Sequence, residues 1–401
     1  MIGAPFPVSG GLMRCLLAVL SMLAAPAVAQ ETSALIADRG LAGARTQLQA
    51  QAPSADRDLA IAATQFLGGV EAAFQARHRI GATEPLLPLP LLGATLPLNP
   101  DPQPMTADFV TAMMRDLSQA MQDTRDTLPD GPATLVLDLR DLWLDVDGDR
   151  ARGPAEDLAA LSGLPLPEGP AVVRFDAADI HWLRAYTHLI DGVATLILAF
   201  DPEPALAQRI ALDAALAEQF AQPPGQMARA PNFDMQARAF GPLVDRVAVV
   251  IQTLRQQPDP ALTRAAGAHL RAMVAANRVF WTEVAQETDN DREWIPNDAQ
   301  QAALGFALPQ GTGPLWLSIL DEVDQALAGR MLIPYWRFAP GHGLDLAMWL
   351  DDPRPVEVVD WIQGTAALPY ARPGLTVGRD NWDRFLGSFG GQAGLYMLLL
   401  N

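Results

Sequence analysis

Two groups of oxygen-bearing side chains stand out by type and spacing. Asp145, Asp147 and Asp149 alternate with Val146, Gly148 and Arg150, and Glu156 follows in the same loop. Alternate positions of a turning loop can face their carboxylates inward, and a set of hard anionic oxygens suits a divalent cation such as calcium. The second group is Glu283, Glu287, Asp289, Asn290, Asp291 and Glu293, running into Trp294-Ile295-Pro296-Asn297. Glu283 and Glu287 are four residues apart and share a helix face. They suit a metal or an acid/base pair. The plainer reading is a solvated acidic helix end, unfavourable to the helix dipole and paired to Arg292 or Arg278.

Counted from Asp145, the first group places carboxylates at positions one, three, five and twelve, a spacing that resembles an EF-hand-type calcium loop over residues 145–156. The resemblance implies calcium held by the side chains of Asp145, Asp147 and Asp149, the carbonyl of Ala151 and a bidentate Glu156. Arg150 departs from the pattern at the position where glycine makes the sharp turn. A side chain there costs about 1 kcal/mol if φ is positive. Arg150 and Arg152 also bring positive charge toward the cation. The segment entering the loop is strand-like, whereas the leaving one, with Pro154 at its first turn and Leu158 and Leu161 after it, reads as a helix. An exposed acidic turn is the alternative.

Other chemistries are poorly served. All 28 basic residues are Arg, so there is no Schiff-base, phosphate-loop or kinase lysine. His181 and His188 share a helix face but lie about 10.5 Å apart along the axis, too far for a two-histidine metal site. His188 is expected to be satisfied and partly buried, with Asp191 in support. In Gly387-Ser388-Phe389-Gly390-Gly391, Leu386 stands where a nucleophile elbow needs glycine, so Ser388 and His342 do not make a triad. Seven of the nine tryptophans fall between residues 281 and 382 among many acids. Trp316, Trp349 and Trp361 read as core, and Trp294, Trp336 and Trp382 as free to line a pocket for a sugar or a cationic ligand.

Arg14, the apolar run 16–25 and Ala27-Val28-Ala29 read as a signal peptide over residues 1–29, cleaved before Gln30, which predicts a periplasmic or secreted protein. The one cysteine, Cys15, lies inside that segment, so disulfides and thiolate metal sites are excluded from the mature chain. A formal net charge of −18 disfavours nucleic acid and anionic lipid as partners. No later run reaches the roughly 18 apolar residues of a membrane span.

The elements that must hold these groups are mostly helical. Apolar residues at spacings of three and four predict helices over 33–51, 55–79, 106–127 (capped by Thr106), 176–200 (started by Asp176 and Asp179), 201–222, 236–255, 259–288 (Asp259 cap, Pro260 first), 314–328 and 355–363. Seven prolines within residues 84–104 predict an extended segment lying on the core. A short strand is expected at 134–139 and a hairpin at 331–350 around Pro340-Gly341-His342-Gly343. The fold class is thus mainly α with minor β. It is organised as an N-terminal helical lobe, 30–222, and a Trp-rich lobe, 223–401, or as one domain over 30–401. Two functions fit: a calcium-stabilised protein of binding or structural-interaction type with a protein or glycan ligand, or a periplasmic hydrolase of glycan or another polymer using paired carboxylates.

Overall fold

The structure is a computed structural model that describes residues 25–85, 92–164, 166–219, 233–389 and 400. Twelve α-helices and two small antiparallel strand pairs are found among the described residues, a mainly α, multi-helix fold. Most of the expected signal segment, residues 1–24, lies outside them, as does the expected stop at Pro223-Pro224-Gly225.

Helix α1, Ala25–Gln49, carries a break at Gly40, where φ is 66°. A Cβ at Gly40 would sit 3.1 Å from the Trp143 ring, so only glycine fits. The indole N–H of Trp143 donates to the Ile36 carbonyl, four residues before the break, at 2.8 Å. Helix α2, Ala55–Arg79, begins as its sequence directs: the Ser54 hydroxyl accepts from the Arg57 N–H, and Asp56 and Asp58 face the positive end of the dipole. It buries Leu59, Ala62, Phe66, Val70, Ala73 and Phe74. Arg77, buried at its far end, donates to the carbonyls of Thr83, Leu92 and Ala94. That fork ties down the described part of the Pro-rich segment, whose Leu92, Ala94 and Leu96 enter the core as expected.

Helix α3 is Phe109–Thr127; its cap residue is Asp108 rather than Thr106, and no side chain bonds the first turn. Strand β1, Leu135–Asp138, appears where alternation predicts it. Its partner β2, Val172–Phe175, lacks a clear alternation and was not expected; Leu135 pairs with Phe175 and Asp138 with Val172. Between them lies α4, Leu158–Ser162, ended by Gly163 at φ 68°. Helix α5, Ala177–Ala199, opens with a reciprocal capping box between Asp176 and Asp179. Helices α6, Glu203–Gln219, and α7, Phe233–Leu254, come next, then α8, Pro260–Val284, with Asp259 capping it and Pro260 at its first position.

Helix α8 stops four residues short of the expected end because the Asn297 side chain donates to the carbonyls of Val284 and Glu287. Helix α9, Thr312–Leu327, matches its stripe. The hairpin expected at 331–350 is corrected. Strand β3, His342–Leu344, pairs with β4, Ala371–Pro373, and the 331–338 side contributes isolated bridges, Ile333 to Leu344 and Leu332 to Thr376. Residues after Leu344 turn into α10, Leu346–Asp351, because the Asp345 carboxylate accepts from the Met348 N–H as a cap. Helix α11, Val358–Gln363, ends at Gly364 with φ 97°, and α12 is Asp380–Ser388.

α5 and α8 lie on opposite sides of the expected 222/223 boundary, yet they pack along one another and share one core cluster that reaches from Ile36 to Leu400. α3 packs on α2 and α5, which places the N-terminal helices on the same core. Among the described residues no single helix is long and apolar enough to cross a membrane.

Candidate functional site

The acidic loop 145–156 is the tip of a short antiparallel ribbon. The Leu144 N–H donates to the Glu156 carbonyl at 2.9 Å, the Leu158 N–H donates to the Leu142 carbonyl at 3.0 Å, and Trp143 bridges Asp157. Pro154 therefore does not open a helix: Pro154 and Ala155 form a turn, and pairing holds Glu156 to Leu158 against Leu142 to Leu144 before α4 begins. The strand-like entry is as expected, and the loop is framed by a ribbon instead of by two helices.

At the tip, one oxygen from each of Asp145, Asp147 and Asp149 lies within 4.8 Å of the other two. Asp147 and Asp149 are exposed and Asp145 half-buried. Each carboxylate already accepts from the backbone ahead of it. Asp145 takes the N–H groups of Gly148 (2.9 Å) and Arg150 (3.2 Å), Asp147 that of Asp149 (3.0 Å), and Asp149 that of Ala151 (2.7 Å). Such turns fix the three side chains on one side while leaving lone pairs free, since an ionised carboxylate has about four acceptor sites. Arg150 adopts φ 66°, the left-handed conformation that the loop pattern reserves for glycine. Arg152 is drawn aside into an ion pair with Asp157 at 2.6 Å.

Glu156 does not join the three aspartates. It is 3 % exposed. Its Oε1 accepts from Val146 (2.8 Å) and Asp147 (3.3 Å), and its Oε2 from Gly153 (2.6 Å). Glu156 thus staples the loop to itself through backbone donors. A Cβ on Gly153 would come within 3.0 Å of Oε2, which explains the glycine there. Ala151, the expected carbonyl ligand, is exposed and bonded to Asp149 through its N–H. From behind, α2 braces the loop. Glu71 accepts the Asp145 N–H at 2.8 Å, and Gln75 donates to the Asp145 carbonyl at 2.7 Å. Burial pushes Glu71 up to about 7, with the charges of Asp145 and Glu156 adding to the push against that hydrogen bond.

The second group opens onto a cleft of about 420 Å³ lined by Thr134, Arg174, Asp176, Glu283, Glu287 and Asp289. Its cation is Arg174 of β2, 3.2 Å from Asp176, 3.4 Å from Asp289 and 4.0 Å from Asp291. Arg278 pairs instead with Asp321. Glu283 faces His181 at 3.8 Å. Glu287 accepts from Gln300 at 3.1 Å, and Asn290 accepts from the Gln301 N–H. Glu293 accepts from the Asp291 N–H at 2.7 Å. Burial pushes Glu287 up to about 7, and it also raises Glu293 and, most strongly, Asp179; the neighbouring acids add to each. Asp176 and Asp179 belong to this group although sequence reasoning placed them only as helix caps. The bridge between Arg174 and Glu293 that unites them is a long-range contact with no local signature.

The remaining candidates lie outside the acidic loop and the carboxylates of the second group. His188 faces His269 of α8, Nδ1 to Nδ1 at 3.0 Å, a partner no spacing rule suggests. Asp191, 3 % exposed, is bonded by Arg125 and Ser118 of α3 and by Thr195, and it lies 3.6 Å from His269. The Ser388 hydroxyl donates to the Arg384 carbonyl within α12, and His342 is exposed on β3. Trp316 is buried and bonded to Asn277, as expected of core. Trp349 stacks on Phe200 and Trp361 on Tyr370, both half-buried. Trp336 is exposed under Arg337 and Trp382 is partly exposed. Trp294 is buried against Trp182 and Phe175.

Comparison with protein-family models, with curated proteins and with solved structures finds no match.

Proposed function

We propose that the chain is an exported, calcium-stabilised binding protein in which the cation at Asp145, Asp147 and Asp149 fixes the ribbon 142–158. The observation that carries this is the convergence of the three carboxylates within 4.8 Å on a loop braced by Glu71 and Gln75. Hard oxygens in such an arrangement favour calcium over softer metals, and the N-terminal pattern of charge, apolar run and small residues supports export to a compartment where calcium is available. Glu156 then acts through the loop backbone, not as a ligand.

Thermal unfolding in calcium and in chelator tests the reading. For a dissociation constant of about 0.1–1 mM, as in extracellular calcium modules, ~10 mM calcium adds about 1.4–2.7 kcal/mol. The gain is expected to vanish in Asp147→Ala. A midpoint indifferent to calcium in the parent chain would sink the proposal.

A second reading, hydrolysis of a glycan or another polymer, is favoured by one observation: Glu287, held near pH 7 in an open cleft, is poised as a general acid. Turnover of a polymeric glycan that Glu287→Gln abolishes would support it. Equal turnover in the two proteins would dismiss it.

A further inference from the structure

Behind the ribbon lies a half-open cavity of about 160 Å³. It is comparable to the roughly 150 Å³ of an engineered apolar cavity that takes up benzene, so it admits a small, slender organic ligand. One wall is the inward face of β1 and its continuation. Leu135, Leu137 and Leu139 alternate inward, and Leu142 and Leu158 from the two sides of the ribbon's base complete it. The opposite wall is aromatic: Phe66 of α2 meets Tyr186 edge-on at 5.8 Å, and Trp182 of α5 contacts both Tyr186 (5.3 Å) and Trp294 (5.6 Å). Against these surfaces stand two polar side chains, Asp179 and Ser162.

The polar end is defined. Asp179 is 8 % exposed, and one of its oxygens accepts from the Asp176 N–H. The Trp294 indole N–H is buried without a hydrogen-bond partner among the described residues. The acidic cleft begins one helical turn away, where Asp176 and Glu287 line its wall. Among the described residues no arginine lines the cavity. A carboxylate or phosphate head group would therefore be buried beside acids without a countercharge, which is strongly unfavourable. Burial and the neighbouring acids favour the neutral form of Asp179, which can donate a hydrogen bond.

We propose that this cavity binds an uncharged lipophile, a single hydrocarbon chain whose hydroxyl or carbonyl end meets Asp179. This deepens the binding-protein reading and rests on it. The calcium loop caps the ribbon whose base forms one wall, so the cation would order that wall without touching the ligand.

Calorimetric titration of the purified protein with 1-octanol, 1-nonanol and 1-decanol tests the assignment, with decanoate and decyltrimethylammonium as charged counterparts at pH 8. The alcohols are expected to bind one per chain, tightening by about fourfold per methylene. Decanol is expected to exceed both charged chains by at least tenfold. Ala63→Phe, which fills the cavity from α2, and Leu164→Trp, which fills it from the other side, should each weaken decanol at least tenfold, with folding checked by an unchanged unfolding midpoint. Absence of saturable binding overturns the proposal, as does full-strength binding in both folded variants. A tenfold preference for either charged chain overturns the head-group assignment. Failure of decanol to bind while calcium still raises the midpoint would remove the ligand class and leave the cation reading standing.

Discussion

At the ribbon tip, Asp147 and Asp149 stand in solvent and take their hydrogen bonds from the next few backbone N–H groups. Between α3, α5 and α8, Asp191 is 3 % exposed and takes its bonds from side chains 66 and 73 residues away, those of Arg125 and Ser118. The same side chain thus serves two ends. Exposed and locally bonded carboxylates keep their charge at little cost and remain open to a cation. Buried ones need compensation, from a cation as at Asp191 or from backbone donors as at Glu156, and where it falls short, as at Asp179 and half-buried Glu287, the protonated form is favoured. Burial, more than residue type, decides which acid is a binding group and which a structural one.

The largest effect should come from breaking the buried arrangement. Arg125→Met keeps much of the side-chain length but leaves Asp191 without its cation. The expected loss is about 3–5 kcal/mol by denaturant unfolding, the usual cost of an uncompensated buried charge. Arg39→Ala, which removes an exposed pair with Asp38, should cost no more than about 0.5 kcal/mol. Similar losses in the two variants would erase the contrast.

Next in size is Glu156, the carboxylate of the loop that is buried. Glu156→Ala strips the acceptor from three backbone N–H groups and should cost about 2 kcal/mol. As a staple, Glu156 matters equally with and without the cation, so the loss measured in chelator should match that in calcium. A loss confined to calcium would restore Glu156 as a direct ligand.

Much of the fold was legible because it is local. Apolar stripes and caps placed α2, α5 and α8, with Ser54, Asp176 and Asp259 doing at their starts what their types direct. Alternation found β1. What stayed hidden depends on distant partners. β2 is recognisable only once β1 is beside it, and Leu346–Asp351 becomes a helix through a cap at Asp345 that the apolar run conceals. In the site, the spacing of Asp145, Asp147 and Asp149 was readable, whereas the turning away of Glu156 was not: the pattern records that an acid stands there, not which donors surround it. The cavity was invisible for the same reason, since its walls come from α2, β1, the ribbon, α5 and Trp294.

A smaller, stabilising change sharpens the exposed side of the comparison. Arg150→Gly relieves the left-handed backbone at φ 66° and should add about 0.5–1 kcal/mol in chelator. It also removes a positive charge near the three aspartates, so calcium should bind more tightly. Unchanged stability would mean that the loop holds Arg150 without strain.

The smallest effects are slopes of stability against pH, and the interior groups supply them with opposite signs. His188 is lowered to about 4, by burial first and then by Arg125 and His269, so it is neutral in the fold while an unfolded histidine takes a proton near 6.5. The unfolded chain binds more protons in that window, and stability contributed by His188 is lost as pH falls from about 6.5 toward 4. Glu287 behaves in reverse. Its folded value of about 7 lies above the ordinary 4.5, so the folded chain binds the extra proton, and stability is lost as pH rises from about 4.5 to 7. Because both side chains are half-buried, water screens them and each contribution is modest. Unfolding midpoints from pH 4 to 8 should show His188→Asn flattening the acid side relative to the parent and Glu287→Gln flattening the approach to neutrality. Parallel curves for all three proteins would show that these interior groups titrate alike in the folded and unfolded chain, and the distinction between exposed and buried acids would then rest on the ribbon alone.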